Sequence, residues 1–138
     1  MPTELEIQSD IEGFYNRVSD SLSNERDVKS LLKRVLNHFD IFYFMPAANG
    51  FGRAGVSDFI LVNNGCCVAI ETKFGRNTPT AQQLKFGQDM LVHGALYAVV
   101  RESNFISVMT IVISYLLGVI SRKEAFARVL SGGFHAHG

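Results

Sequence analysis

The amino-acid sequence predicts a mixed α/β domain in which helices flank a small sheet. Segments with apolar residues at helical spacing alternate with short apolar runs of strand length. An Asn64-Gly65 pair separates two of these runs, and Asn-Gly is the strongest short-range signal for a β-hairpin. The chain has 138 residues, 47% of them apolar and 19% charged, which suffices for one domain with its own core and excludes a disordered chain.

The first half of the chain begins with two helices. Apolar residues recur at helical intervals from Leu5 to Leu22, and Asn24 caps a second helix whose first turn carries acidic residues. A strand that ends at Pro46 follows, and a loop with three glycines precedes the hairpin. We therefore expect helices over 4–22 and 25–38, a strand over 41–46, a loop over 47–55 and hairpin strands over 56–62 and 66–73.

The second half of the chain contributes one further strand to the predicted sheet. Thr78 and Pro79 indicate a helix cap followed by proline at the first helical position, and Gly94 ends that helix at about His93. We expect a strand over 95–101 and helices over 105–118 and 121–130. The chain is thus one domain, with an N-terminal helical extension over 1–24, a core over 25–101 and C-terminal helices and tail over 102–138.

Charge and cysteine content narrow the class of protein. The chain has 13 basic and 13 acidic residues, but residues 25–138 carry a surplus of four bases, which tolerates a polyanion as partner. Cys66 and Cys67 are adjacent, a spacing that fits neither a zinc site nor a disulfide scaffold. No nucleotide-binding glycine motif and no apolar leader are present, so we expect a cytoplasmic protein that does not bind a nucleotide cofactor.

Residues 103–121 form an uncharged run of nineteen residues, close to the length of a membrane-spanning helix. The run contains four serines, an asparagine and a threonine, which favours a helix of a folded domain and no membrane contact. A helix that is apolar on every side must be covered on every side. We expect a second copy of the chain to cover one side and predict a homodimer; the alternatives are a tail over 121–138 that folds back, or membrane contact.

The hairpin contains the candidate catalytic and metal-binding residues. A two-residue turn places Asp58 directly opposite Glu71, and Lys73 points to the same face because it lies two residues beyond Glu71. Opposed like charges destabilise a sheet, and a divalent cation such as Mg²⁺ would remove the repulsion. The lysine can then orient or deprotonate a water, or neutralise charge on a phosphate. The alternative is a surface cluster at a strand end, with Lys73 simply paired to Glu71.

These residues are part of a longer sequence motif. The chain carries Gly55-Val56-Ser57-Asp58-Phe59, then the hairpin, then Glu71-Thr72-Lys73 and Thr80-Ala81-Gln82-Gln83. This arrangement resembles the VRR-NUC nucleases of the PD-(D/E)xK superfamily, whose pattern is Gly-x-Pro-Asp-Phe, a hairpin, Glu-x-Lys and a Thr-x-x-Gln helix start. The resemblance covers about residues 25–101, at the size of the stand-alone phage and bacterial members. Ser57 replaces the usual proline, and serine can adopt the same extended conformation.

The resemblance implies a restriction-endonuclease-like fold and Mg²⁺-dependent hydrolysis of DNA phosphodiesters, with Mn²⁺ able to substitute. It also implies a homodimer that acts on branched DNA such as Holliday junctions, in a bacterial or phage-infected cell. Asp58 and Glu71 then become metal ligands, the carbonyl of Thr72 a further ligand, Lys73 the catalytic lysine and Gln83 the glutamine that follows the site. Glu25 takes the place of a glutamate that completes the acidic cluster; ordinary compensation of the helix dipole is the alternative.

Five basic residues are candidates for DNA contact. Arg53 lies in the loop that faces the site and suits a phosphate. Arg76, Lys85, Lys29 and Lys33 either track backbone phosphates or lie on solvated helix faces. A nucleic-acid-binding relative without catalytic activity is the alternative function. The opposed Asp58 and Glu71 argue against that alternative, because a protein without chemistry has no need to oppose two acids.

Overall fold

The computed structural model of the chain describes residues 1–47 and 54–131. It is a mixed α/β fold in which helices flank a small mixed sheet, as predicted. The elements in chain order are α1 (Glu4–Val18), a 3₁₀ turn (Ser19–Ser21), α2 (Glu25–His38), β1 (Phe42–Phe44), β2 (Phe59–Asn63), β3 (Cys66–Thr72), α3 (Ala81–Val92), β4 (Leu96–Val100), α4 (Phe105–Leu116) and α5 (Arg122–Ser131).

The sheet formed by the described residues has four strands in the order β1-β2-β3-β4. The β1-β2 and β2-β3 pairs are antiparallel, whereas β3 and β4 run parallel and are joined through α3. Asn64 and Gly65 have φ of 49° and 80°, as a type I′ turn requires of its two central residues. The predicted hairpin register is confirmed along β2 and β3, from Asn63 opposite Cys66 to Phe59 opposite Ile70.

Several element boundaries differ from the prediction, and two of the differences bear on the site and the core. The first helix ends at Val18, and a 3₁₀ turn replaces its expected last turn. Within this helix Ile7 and Ile11 are fully buried, but Leu5 is 78% exposed, so the predicted apolar face is narrower than its spacing indicated. Strand β2 begins at Phe59, three residues later than predicted, because the Thr72 N–H donates to the Asp58 side chain.

The two faces of the sheet are covered unequally. One face, which includes Phe59 and Leu61, belongs to the main apolar core together with α1, α2 and α4. On the other face α3 packs through Phe86 over Ala69 and Tyr97, which lie on β3 and β4. Helix α3 therefore leaves the β1 side of that face uncovered, and Phe42 and Phe44 are 65% and 48% exposed there.

Helix α4 lies in the interior of the single chain. Every residue from Val108 to Leu116 is buried, and α1, α5 and strands β3 and β4 contact the helix. Helix α5 is held against the domain by Arg122, whose guanidinium donates to the carbonyls of Leu91 and Ala95 at 2.8 and 3.0 Å. The prediction that one chain cannot cover this helix is therefore wrong, because α1 and α5 of the same chain pack against it.

In the described part of the chain, no helix is both long enough and apolar enough to span a membrane.

Candidate active site

The hairpin brings Asp58 and Glu71 to one face of the sheet. Phe59 pairs with Ile70, so Asp58, one residue before β2, faces Glu71, near the end of β3. The negative charge of Asp58 raises the pKa of Glu71. The site therefore lies where the antiparallel hairpin meets the carboxyl end of the parallel β3-β4 pair.

Asp58 is held as a carboxylate by its neighbours. Its Oδ2 accepts hydrogen bonds from the backbone N–H of Thr72 at 2.8 Å and from the Thr72 hydroxyl at 2.7 Å. Its Oδ1 lies 3.6 Å from Nζ of Lys29 on α2. Burial alone would raise the pKa of Asp58, but the hydrogen bonds from Thr72 and from the Glu71 carboxyl group, together with the charge of Lys29, outweigh it and hold the pKa below its usual range.

The surroundings of Glu71, in contrast, disfavour its ionised form. Its side chain is 1% exposed, and its Oε1 accepts a hydrogen bond from Nε2 of Gln83 at 3.0 Å and lies 3.6 Å from Nζ of Lys73. Burial, followed by the charge of Asp58, raises the pKa of Glu71 to about 8, against the opposing charge of Lys73. In the ionised form of Glu71 the buried Oε2 has no hydrogen-bond partner among the described residues. The protonated form hydrogen-bonds to Asp58 instead, so Oε2 is available to a ligand once Glu71 is ionised.

Gln83 reaches Glu71 because of the way α3 begins. Thr80, not the predicted Thr78, caps the helix: its hydroxyl accepts from the Gln83 N–H at 3.2 Å, and its own N–H donates to Gln83 Oε1 at 2.8 Å. This reciprocal pair is a capping box, so the Thr-x-x-Gln sequence has a structural meaning. Because Oε1 is engaged by the cap, the amide nitrogen of Gln83 points to the Glu71 carboxyl group.

Gly55 lets the loop before Asp58 approach the start of α3. Gly55 has φ of +74°, and a Cβ atom placed there would lie 2.3 Å from the Gln82 carbonyl oxygen and 2.8 Å from the Gln83 nitrogen. Only glycine tolerates both this conformation and this contact. The absence of a side chain therefore determines how closely the segment that carries Asp58 packs on the helix that carries Gln83.

The turn between β3 and α3 is fastened to the end of β4. Arg101, which is 7% exposed, donates through one guanidinium nitrogen to the carbonyls of Gly75 and Asn77, and Glu102 accepts from the Gly75 N–H at 3.0 Å. These contacts hold the backbone that follows Lys73. Neither residue was a sequence candidate, because their contact with the turn depends on the parallel pairing of β3 with β4.

Lys29, a sequence candidate for phosphate contact only, instead contacts the acidic residues of the site. Its Nζ lies 3.6 Å from Oε1 of Glu25 and 3.6 Å from Oδ1 of Asp58, so one ammonium bridges two acids. The i,i+4 spacing from Glu25 was the available signal, but it indicates only a helical ion pair. The structure brings Glu25 close enough for its charge to raise the pKa of Glu71, and its role as a metal ligand stays a prediction.

The predicted DNA-contacting residues lie around the site with different surroundings. Arg76 is exposed in the turn after β3. Lys85 is exposed on α3 and its Nζ lies 3.0 Å from a carboxylate oxygen of Asp89. Arg53 lies outside the described residues. None of these placements tests the assignment to DNA.

The donor set of the site suits a hard divalent cation. In the ranges 1–47 and 54–131, no three His, Cys, Asp or Glu side chains gather into a metal-binding group. Mg²⁺, however, is usually bound by one or two carboxylates together with waters and substrate phosphates. Asp58 and Glu71, with the unpartnered Oε2 of Glu71, fit that requirement.

No protein-family model matches the chain, and the comparisons with curated proteins and with solved structures find no match either. The function of the chain therefore has to be argued from the chemistry of this site.

Proposed function

We propose that this protein is a Mg²⁺-dependent DNA endonuclease with a PD-(D/E)xK core of the VRR-NUC type. The observation that carries the proposal is the opposition of Asp58 and Glu71, with Nζ of Lys73 3.6 Å from Oε1 of Glu71. Placing the buried Glu71 against the charge of Asp58 is costly to a fold unless a ligand uses both acids. A divalent cation and a phosphodiester are the ligands that this combination of charges suits.

The metal would be held by Asp58, by Glu71 and, as the resemblance implies, by the carbonyl of Thr72. When bound, Mg²⁺ supplies positive charge that stabilises the developing charge on a scissile phosphate and increases the acidity of an attacking water. Mn²⁺, which accepts the same oxygen ligands, should support the same chemistry.

The side chains of the chain itself have distinct roles in this proposal. Lys73 orients a water for in-line attack or neutralises charge on the phosphate, because its ammonium is directed to the carboxylates by β3. Gln83 fixes the orientation of the Glu71 carboxyl group through its 3.0 Å hydrogen bond. Lys29 and Thr72 do the same for Asp58, and they keep it ionised.

The proposal includes the substrate and the assembly. We propose DNA as substrate, branched DNA such as a four-way junction in particular, with Arg53, Arg76 and Lys85 on its phosphates. A homodimer would present two sites to the two strands of such a junction. Since α4 is buried within one chain, the dimer has to use another surface.

A metal-dependent cleavage assay on matched linear, flap and four-way-junction DNA tests the function. Asp58→Asn, Glu71→Gln and Lys73→Ala should each abolish cleavage in Mg²⁺, because each removes a charge that the reaction needs. Far-UV circular dichroism should show that the three variants remain folded. Glu124→Gln and Lys123→Ala on α5 are matched controls and should cleave as the wild type does.

Two results would count against the proposal. Near-normal cleavage by one of the three site variants would show that the assignment of that residue is wrong. Metal-independent DNA binding by a wild-type protein that cleaves none of the substrates would favour the non-catalytic alternative.

A further inference from the structure

The uncovered part of the sheet lies on the same face as the candidate active site. Phe42 pairs with Val62 and Phe44 with Ile60, and side chains two residues apart along a strand share a face. Ile60 in turn pairs with Ala69 on β3, and Glu71 lies two residues beyond Ala69, so the two phenylalanines share their face with Glu71 of the site. We refer to Phe42, Phe44 and Val62 as the β1–β2 patch.

The patch is aromatic and open to solvent. Phe42 is 65% exposed, Phe44 is 48% exposed and Val62 is 36% exposed. The two ring centroids lie 6.5 Å apart. Tyr43, between them, points to the opposite face and packs on Phe59 with a centroid distance of 5.7 Å, so the strand that presents the rings is anchored in the core. Helix α3 covers β3 and β4 on this face but does not extend over the patch.

The patch lies next to the position where a scissile phosphate would bind. Phe44 is paired with Ile60, and Asp58 lies two residues before Ile60, about 7 Å along an extended chain. A nucleotide whose phosphate meets Asp58 and Glu71 can therefore extend its base or its neighbour's base over Phe44. Phosphates gain nothing from phenyl rings, whereas the faces of unpaired bases stack on them.

A second copy of the chain is a weaker candidate for this surface. The three side chains expose on the order of 300 Å², estimated from the usual surface of aromatic residues. A stable interface needs roughly 800 Å² per partner. Pairing along the free edge of β1 is also restricted, because the strand has three residues and Pro46, which lacks an N–H, follows two residues after it.

We infer that Phe42 and Phe44 form a stacking platform for unpaired bases next to the cleaved phosphodiester, and so select DNA that contains unpaired nucleotides over a continuous duplex. This inference rests on the proposed nuclease function. To that function it adds which part of the DNA substrate, its unpaired bases, Phe42 and Phe44 recognise. In a continuous duplex the base faces are already stacked, so the platform remains without a ligand.

Binding in the absence of cleavage provides the test. The probes are a paired duplex and the same duplex with an internal run of unpaired thymines, measured by fluorescence anisotropy with Ca²⁺ in place of Mg²⁺. The double variant Phe42→Leu/Phe44→Leu keeps apolar side chains on β1 but removes both rings. It should bind the probe with unpaired thymines about tenfold or more weakly, from the usual effect of base stacking, and the duplex as the wild type does.

Abasic probes and matched variants make the result specific. Replacing the unpaired thymines by abasic sites should remove the preference of the wild type and leave the double variant unchanged. Phe126→Leu, which alters an aromatic residue 36% exposed on α5, is the control and should bind both probes normally. Single variants Phe42→Leu and Phe44→Leu, checked by thermal melting, replace the double variant if that variant does not fold.

Three outcomes would overturn the inference. Equal loss of affinity for both probes would mean that the rings do not read unpaired bases, and conversion of a dimer to a monomer by the double variant would assign the patch to a second copy. In either case wild-type cleavage in Mg²⁺ would leave the proposed function standing. A wild type that neither binds nor cleaves any of the DNA substrates would overturn both proposals.

Discussion

Glu71 is the residue at which burial and charge in the site act most strongly against ionisation. The folded protein raises the pKa of its carboxyl group from 4.5 to about 8, first through burial and then through the charge of Asp58. The pKa of the neighbouring Asp58 is lowered instead, because hydrogen bonds from Thr72 and the charge of Lys29 stabilise its carboxylate. Two acids that face each other thus differ in protonation near neutral pH when no cation is bound.

The raised pKa of Glu71 predicts how stability depends on pH in the metal-free protein. Between about pH 4.5 and 8 the folded state binds more protons than the unfolded state, so the free energy of unfolding should fall as the pH rises through this range. Asp58, whose pKa is lowered, loses its stabilising effect only as the pH falls below about 4, outside this range. Urea unfolding in EDTA at pH 5, 6, 7 and 8 measures the slope.

Glu71→Gln supplies the comparison for that prediction. An amide does not titrate, so most of the slope should disappear, and the variant should be more stable than the wild type at pH 8. Glu124→Gln, which alters an exposed carboxylate on α5, should keep the wild-type slope. An unchanged slope in Glu71→Gln would contradict the assignment of the pH dependence to this residue.

At the scale of elements, the site depends on the contact between the loop before β2 and the start of α3. The hairpin positions Asp58 against Glu71, but Gln83 and the turn after Lys73 arrive from elements that pair or pack only in the folded chain. Gly55 is the closest point of that contact, because its Cα faces the backbone of Gln82 without a side chain between them.

Gly55→Ala should therefore lower both stability and cleavage. A Cβ atom at Gly55 would lie 2.3 Å from a backbone oxygen that cannot move without α3, so Gln83 would shift away from Glu71. Gly118→Ala is a matched control, since Gly118 has φ of +78° and no atom within 4 Å of an added Cβ. It should cost only the roughly 1–2 kcal/mol of a left-handed residue and retain activity.

The unfolding free energies and cleavage rates of the two glycine variants are the measurements. They separate the cost of a left-handed backbone, which both variants have, from the steric clash with α3, which only Gly55→Ala has. If both variants lose the same stability and both remain active, the close approach of Gly55 to α3 does not position the site.

At the scale of the whole molecule, the apolar helix α4 is an interior element. Val112 is fully buried among α1, α5 and the sheet, and the chain covers its own most hydrophobic segment. Helices α1 and α5 are also joined at the surface by an ion pair, in which Arg128 donates to Glu4 at 3.0 Å. A homodimer, if the active protein is one, leaves this helix unchanged.

Val112→Glu should accordingly unfold the protein instead of separating two subunits. An unpaired carboxylate in this core should lower the free energy of unfolding by more than about 4 kcal/mol. Ser107→Glu, at an exposed position in the first turn of the same helix, should have little effect because a negative charge suits a helix N-terminus. Thermal melting and light scattering check the pair. A folded, monomeric Val112→Glu protein from a dimeric wild type would instead place α4 in an interface.

Local sequence patterns determined much of this fold. The Asn24 cap, the Asn64-Gly65 turn and Gly94 each act within a few residues, so the bounds of α2, the turn of the hairpin and the end of α3 could be predicted from the sequence. The hairpin register followed from the turn alone, and with it the opposition of Asp58 to Glu71 and the placement of Lys73. These parts of the site depend on contacts between residues close in the chain.

The tertiary structure decided what depends on distant contacts. Lys29 reaches Asp58, and Arg101 reaches the turn after Lys73, only because α2 and β4 pack beside the hairpin. The covering of α4 likewise depends on α1 and α5, which lie at the two ends of the described chain, so the apolar pattern of the helix did not reveal what covers it. A local pattern specifies which face of an element is apolar, and only packing specifies which element that face meets.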